Sequence, residues 1–249
     1  MKPSKHYILF LLILFITQFV FSQQKKDKIV FQSAPIISLL NGVMNDNFPI
    51  GKIKAYGNFG LGTFNGVDGE MIVLDGKVYQ VKNNGKVNIP PNAAETPFAT
   101  VTFFNSDKTI ILNDTLSFKK LGEFLDKNLP STNLIYAVKI TGVFKSLETR
   151  SEPKQTKTYS NLSEVLKNQS VFRFKNIKGT MVGFRFPAYM QGINAPGYHF
   201  HFLSSDKKAG GHALSFVTGK IKIEIDFIKN VRMKLPGSEE FYKSDLTQN

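Results

Sequence analysis

From Thr63 to Phe227 the chain runs mostly in a two-residue rhythm of apolar and polar positions, punctuated by glycine and asparagine. A period of two puts alternate side chains on opposite faces of a strand, so the rhythm predicts half-buried β-structure. Glu70–Leu74 and Lys77–Val81, separated by Asp75-Gly76, predict a hairpin with a tight turn. Asn83-Asn84-Gly85 predicts another turn. Further strands are expected over 98–104, 134–144, 171–174, 179–184, 198–203, 213–217 and 220–227. Helical spacing of apolar residues is confined to 34–43, with Ser33 as a candidate cap, and to 50–56, 116–127 and 162–168. Gly57-Asn-Phe-Gly-Leu-Gly62 is too glycine-dense for either period and reads as a loop. It lacks the strand–loop–helix setting of a nucleotide site. The pattern amounts to an α+β fold: two closely packed β-rich subdomains with mixed sheets and a few short helices. A polar break at 151–160 divides them at roughly 29–150 and 151–249, within a single domain spanning 23–249.

The first 22 residues follow another pattern. Lys2 and Lys5 precede an almost unbroken apolar run over 7–21, and Val20-Phe21-Ser22 ends on a small residue. That is the order of a secretory signal cut near Ser22. A membrane span needs about 20 apolar residues, more than this run offers. The expectation is an exported protein, periplasmic or secreted, with no membrane association after cleavage. Losing Lys2 and Lys5 takes the net charge from +13 to +11. The remaining lysines are dispersed, with no recognition helix or RNA-binding aromatic signature, so no nucleic-acid partner is expected. There is no cysteine. Stability must therefore come from an ordinary core and not from disulfides.

Against this background the histidines carry the chemistry. Outside the leader there are His199, His201 and His212, and no others. His199 and His201 stand two apart on an expected strand and share a face. Ser204 to Gly211 suits a hairpin connection, which can return the chain and bring His212 alongside. Three neutral imidazoles without cysteine predict a metal site with an open coordination position, as catalytic zinc requires. His-Glu-x-x-His is absent, which argues against a zinc protease. Glu70 and Arg150, judged on local sequence alone, read as surface charges.

Several separated segments add to this. They are Gly60-Leu-Gly-Thr-Phe-Asn-Gly-Val-Asp-Gly-Glu70, Pro97-Phe-Ala-Thr-Val-Thr-Phe103, Tyr136-Ala-Val-Lys-Ile-Thr-Gly142 and Thr149-Arg-Ser-Glu-Pro-Lys-Gln155. The densest is Pro187-Ala-Tyr-Met-Gln-Gly-Ile-Asn-Ala-Pro-Gly-Tyr-His-Phe-His201. On these segments the chain resembles the alpha-acetolactate decarboxylase family, over nearly all of residues 30–246. The resemblance implies conversion of 2-acetolactate, a small 2-hydroxy-3-oxo acid, to acetoin and CO2. It implies one Zn²⁺ per chain, held by His199, His201 and His212. It carries over Glu70 and Arg150 as catalytic residues, with Thr63 and Arg150 on the substrate, and it implies a homodimer. In such chemistry a metal on the ketone and hydroxyl oxygens stabilises the enediolate left by CO2. Family members often extend past the Asp-Leu pair found here at 245–246, and a tail glutamate folds back to the metal. With Asn249 last, that carboxylate has no obvious counterpart: either it is dispensable, or a water replaces it, or the activity differs. An exported metal- or ligand-binding module that keeps the scaffold and has lost catalysis is the alternative reading.

Overall fold

The computed structural model describes residues 28–156 and 161–247, so the expected signal over 1–22 lies outside the described residues. Two sheets make up the architecture. The first has seven strands: β1 (Ile29–Gln32), β2 (Phe59–Thr63), β3 (Glu70–Leu74), β4 (Lys77–Val81), β5 (Val87–Asn88), β6 (Ala99–Thr102) and β12 (Asn230–Met233). Their spatial order is β12-β1-β6-β2-β3-β4-β5, and only β1 and β12 pair in parallel. The second has β7 (Lys108–Leu112), β8 (Ile135–Ser151), β9 (Ser170–Phe186), β10 (Gly197–Ser204) and β11 (Gly210–Ile228). Its order is β10-β9-β8-β11-β7, antiparallel throughout, and β10 also pairs with the start of β11. The helices are short: α1 (Ile36–Leu40), α2 (Ile50–Ile53), α3 (Phe118–Asn128), α4 (Leu162–Leu166) and α5 (Glu239–Lys243). None of the described helices is long and apolar enough to cross a membrane.

The apolar positions of the two-residue rhythm form the core. Val30, Leu61, Ile72 and Val81 meet Ala137, Val182, Phe184 and Leu203 between the sheets. On the far side of the second sheet, α3 lays Leu121 and Leu125 against Val138, Ile140, Phe200, Phe202 and Ile223. Ser117 caps α3 by accepting the Lys120 N–H, which satisfies a donor that the first turn leaves free.

Several expectations change. The strands at 171–174 and 179–184 are one strand, as are those at 213–217 and 220–227. Bulges on β11 between Ala213 and Ser215, and between Val217 and Ile221, absorb the breaks in alternation without ending the ladder. The glycine-dense stretch at 57–62 is mostly strand β2. Its glycines mark close backbone approach: a Cβ on Gly60 would lie 2.2 Å from the Thr100 carbonyl oxygen, and one on Gly62 2.3 Å from that of Phe98. Ser33 does not cap α1. Its hydroxyl accepts the Ala99 N–H, while the Ile193 and Gly192 carbonyls accept from the first turn of the helix. The sheets also do not divide at 151–160. Membership changes between β6 and β7, and β12 returns to the first sheet. A polar break marked a loop there, but long-range pairing decides which strands share a sheet.

The second sheet holds the site strand by a steric device. Phe200 on β10 lies opposite Gly183 on β9. A Cβ on Gly183 would sit 2.2 Å from the Phe200 ring and 2.4 Å from the His199 carbonyl oxygen. The absent side chain lets the ring lie flat across β9, where it packs edge-on to Phe216 and Phe118. Gly183→Ala is expected to cost about 1–3 kcal/mol by overpacking, read as a lower denaturant midpoint. An unchanged midpoint would show that this approach is slack.

Candidate metal centre and its cavity

Strand register builds the centre. His201 on β10 lies directly opposite His212 on β11, and His212 lies directly opposite Arg150 on β8. His199 precedes His201 by two and shares its face, while Phe200 and Phe202 enter the core behind. The three rings converge, with centroids 4.7–5.2 Å apart. One ligand nitrogen from each lies within 4.8 Å of the others. His199 Nε2 and His212 Nδ1 are 3.1 Å apart. Zinc–nitrogen bonds of about 2.0–2.1 Å in a tetrahedron set ligand nitrogens about 3.3–3.4 Å apart. The donor set can therefore converge on such an ion once the rings adjust.

The first sheet covers this face. The Met71 carbonyl on β3 accepts from His201 Nδ1 at 2.8 Å. That bond fixes the tautomer and leaves Nε2 with its lone pair, the arrangement a ligand histidine needs. His201 Nε2 lies 3.2 Å from Glu70 Oε2. This contact is not an ion pair. Burial drives the His201 ring well below its ordinary range, helped by His199 and by the Arg150 charge. Burial likewise lowers His199 to about 4 and His212 well below its usual value, and Arg150 contributes to both. Glu70 moves the other way. Burial raises it well above the usual carboxylate range, the adjacent Glu152 carboxylate adds to the rise, and Arg150 opposes it. Both groups are buried, and burial disfavours the charged form of each.

Thr63 pairs with Glu70 across β2 and β3, and its hydroxyl donates to the Gly69 carbonyl at 2.7 Å. Arg150 Nη1 donates to Glu152 Oε1 at 2.6 Å and to Gln169 Oε1 at 3.3 Å. All the residues singled out in the sequence, namely Thr63, Glu70, Arg150, His199, His201 and His212, line one cavity of about 750 Å³. Glu152 lines it too, and the apolar wall includes Leu39, Phe118, Leu162 and Leu166. Glu152 and Gln169 were missed. Alternation places Glu152 on the face of Arg150, which was a usable signal. Gln169 precedes β9, across the ladder from Arg150, and has no local signature. Arg185 stands apart from the cavity and pairs with Asp126 at 2.7 Å.

A sequence profile of the family described as alpha-acetolactate decarboxylase matches residues 30–248. The alpha-acetolactate decarboxylase of Methanosarcina mazei is 44% identical over 89% of this chain and 77% of its own length. That of Bacillus subtilis is 36% identical over 91% of this chain and 90% of its own. The crystal structure of alpha-acetolactate decarboxylase from Bacillus subtilis strain 168 superposes with a TM-score of 0.86, covering 88% of this chain and 94% of that one.

The lowered imidazoles make the metal-free protein acid-sensitive. Between the ordinary histidine value of 6.5 and the His199 value of about 4, the unfolded chain takes up protons that the folded triad refuses. Stability is therefore lost as pH falls through that window. Glu70, raised, contributes the opposite sign, but one carboxyl opposes three imidazoles. The melting temperature of chelator-treated protein is expected to fall from pH 6.5 to 5, with a shallower slope in His199→Gln. Equal slopes would contradict the assignment of His199.

Proposed function

The chain belongs to the alpha-acetolactate decarboxylase family, and from that premise we propose that it turns 2-acetolactate into acetoin and carbon dioxide at the three-histidine centre, with zinc as the ion. It is accordingly a carboxy-lyase. The observation that carries the reading is the convergence of three imidazoles, a buried carboxyl and a guanidinium on one cavity wall. A binding module without catalysis is not favoured, because Glu70 and Arg150 sit beside the triad.

A zinc ion held by His199, His201 and His212 would supply Lewis-acid charge to the ketone and hydroxyl oxygens of the substrate as negative charge grows there. Arg150 holds the substrate carboxylate. Its Nη1 is taken by Glu152 and Gln169, so the Nε–Nη2 edge is the one presented to two carboxylate oxygens. The bond between the carboxylate carbon and C2 then breaks, and its electron pair passes into the C2–C3 bond. CO2 leaves, and the substrate becomes an enediolate. Glu70, which lines the cavity beside His201, gives a proton to C2 and completes acetoin; water later restores that proton. The apolar wall keeps bulk water from the reacting carbon and strengthens each charge interaction inside.

Two variants separate holding the ion from using it. His199→Ala is expected to lose zinc and acetoin formation together. Arg150→Ala keeps its zinc and loses activity by about 100-fold or more, the size expected when a charged contact to the reacting group is removed. Zinc content by elemental analysis beside an acetoin assay reads both. Zinc retained in His199→Ala would refute the ligand assignment. The reading includes export with cleavage near Ser22, supported by the sequence over 1–22. N-terminal sequencing of exported protein is expected to start at Gln23, and a start at Met1 would count against it.

A further inference from the structure

Glu152 follows Arg150 by two residues at the end of β8 and is 2% exposed. Its Oε1 accepts from Arg150 Nη1 at 2.6 Å. Its Oε2 is, among the described residues, the buried side-chain polar atom that has no hydrogen-bond partner. Gln169 Oε1 takes the other Nη1 hydrogen at 3.3 Å. A buried carboxylate with one oxygen unpartnered is costly, and native structures rarely leave one without a reason. Orienting Arg150 does not require that cost, since the amide oxygen of Gln169 already does so with no charge. The negative charge of Glu152 therefore calls for its own account.

Decarboxylation supplies one. In the ground state the substrate's charge sits on its carboxylate, and as the bond breaks that charge moves to the ketone oxygen. A contact stronger before the transition state than in it slows the step. An uncompensated guanidinium in a buried cavity would be such a contact, gripping the carboxylate that must become neutral CO2. We propose that Glu152 is a positioning residue that cancels the charge of Arg150, so that the free Nε–Nη2 edge orients the carboxylate without trapping it. Geometry then comes from the guanidinium fork, and the electrostatic attraction that would oppose CO2 loss is offset at 2.6 Å. The inference rests on the decarboxylase reading above and assigns that reaction a further residue.

Glu152→Gln keeps the shape and an oxygen able to accept from Nη1 and removes the charge; because that charge also helps raise Glu70, the binding readouts, and not kcat alone, decide the proposal. With zinc-loaded protein, KM for 2-acetolactate is expected to fall, and kcat to fall about tenfold or more, the pattern of relieved ground-state destabilisation. Calorimetry with 2-hydroxy-2-methylpropanoate, a hydroxy acid with no ketone to accept the charge, is expected to show tighter binding to the variant. Gln169→Glu places a second negative charge on Nη1 and is expected to weaken that binding and raise KM. A KM that rises in Glu152→Gln would overturn the proposal, as would an unchanged kcat or an affinity unmoved in both variants. The calorimetric order of the variants does not depend on turnover. If the wild type formed no acetoin, the reaction assignment would fail while the charge cancellation was still being tested; if the wild type turned over and the affinities did not order as stated, only the present inference would fail.

Discussion

The cross-strand register of β10, β11 and β8 is the constraint on which the site depends. His201, His212 and Arg150 stand in one row because their strands pair at those positions. Side chains alternate along a strand, so a slip of one residue would send the histidines into the phenylalanine core and the phenylalanines into the cavity. The core prevents that slip. Phe200 and Phe202 occupy the face opposite the histidines, and Gly183 and Gly179 on β9 leave room for their rings. One strand thus serves two needs through its alternation: packing on one side, the proposed ion site on the other.

Burial then sets the electrostatics. Three imidazoles in the cavity wall, His201 fully buried and His199 and His212 partly so, are pushed away from the protonated form by desolvation, and the nearby Arg150 charge pushes in the same direction. The same burial pushes Glu70, beside His201, above the usual carboxylate range. Arg150 is matched by Glu152, so the cavity carries few uncompensated charges before a substrate or ion arrives. Much of this comes from covering the second sheet with β3, whose Met71 carbonyl also fixes the His201 tautomer.

The sequence disclosed what local rules govern. The Asp75-Gly76 hairpin, the amphipathic α3 and the shared face of His199 and His201 each follow from spacing within a few residues, and the structure contains them. The α+β class was equally legible. What remained hidden depends on distant pairing. β12 joins β1 from the other end of the chain, β2 uses glycines for close contact with β6, and bulges carry β11 through interruptions that look like strand ends. At the site, Glu70 and Arg150 read locally as surface charges, because nothing nearby in sequence reveals the layer that buries them. Family resemblance brought them in; the fold supplies the physical reason, placing both within reach of the triad.

The central claim is that the triad holds one zinc ion and that acetolactate loses CO2 there. The most direct measurement follows acetoin formation as zinc is titrated into chelator-stripped protein. The account predicts a linear rise that saturates at one zinc per chain. Full activity in the stripped protein, or none above the spontaneous rate at full zinc occupancy, would contradict it.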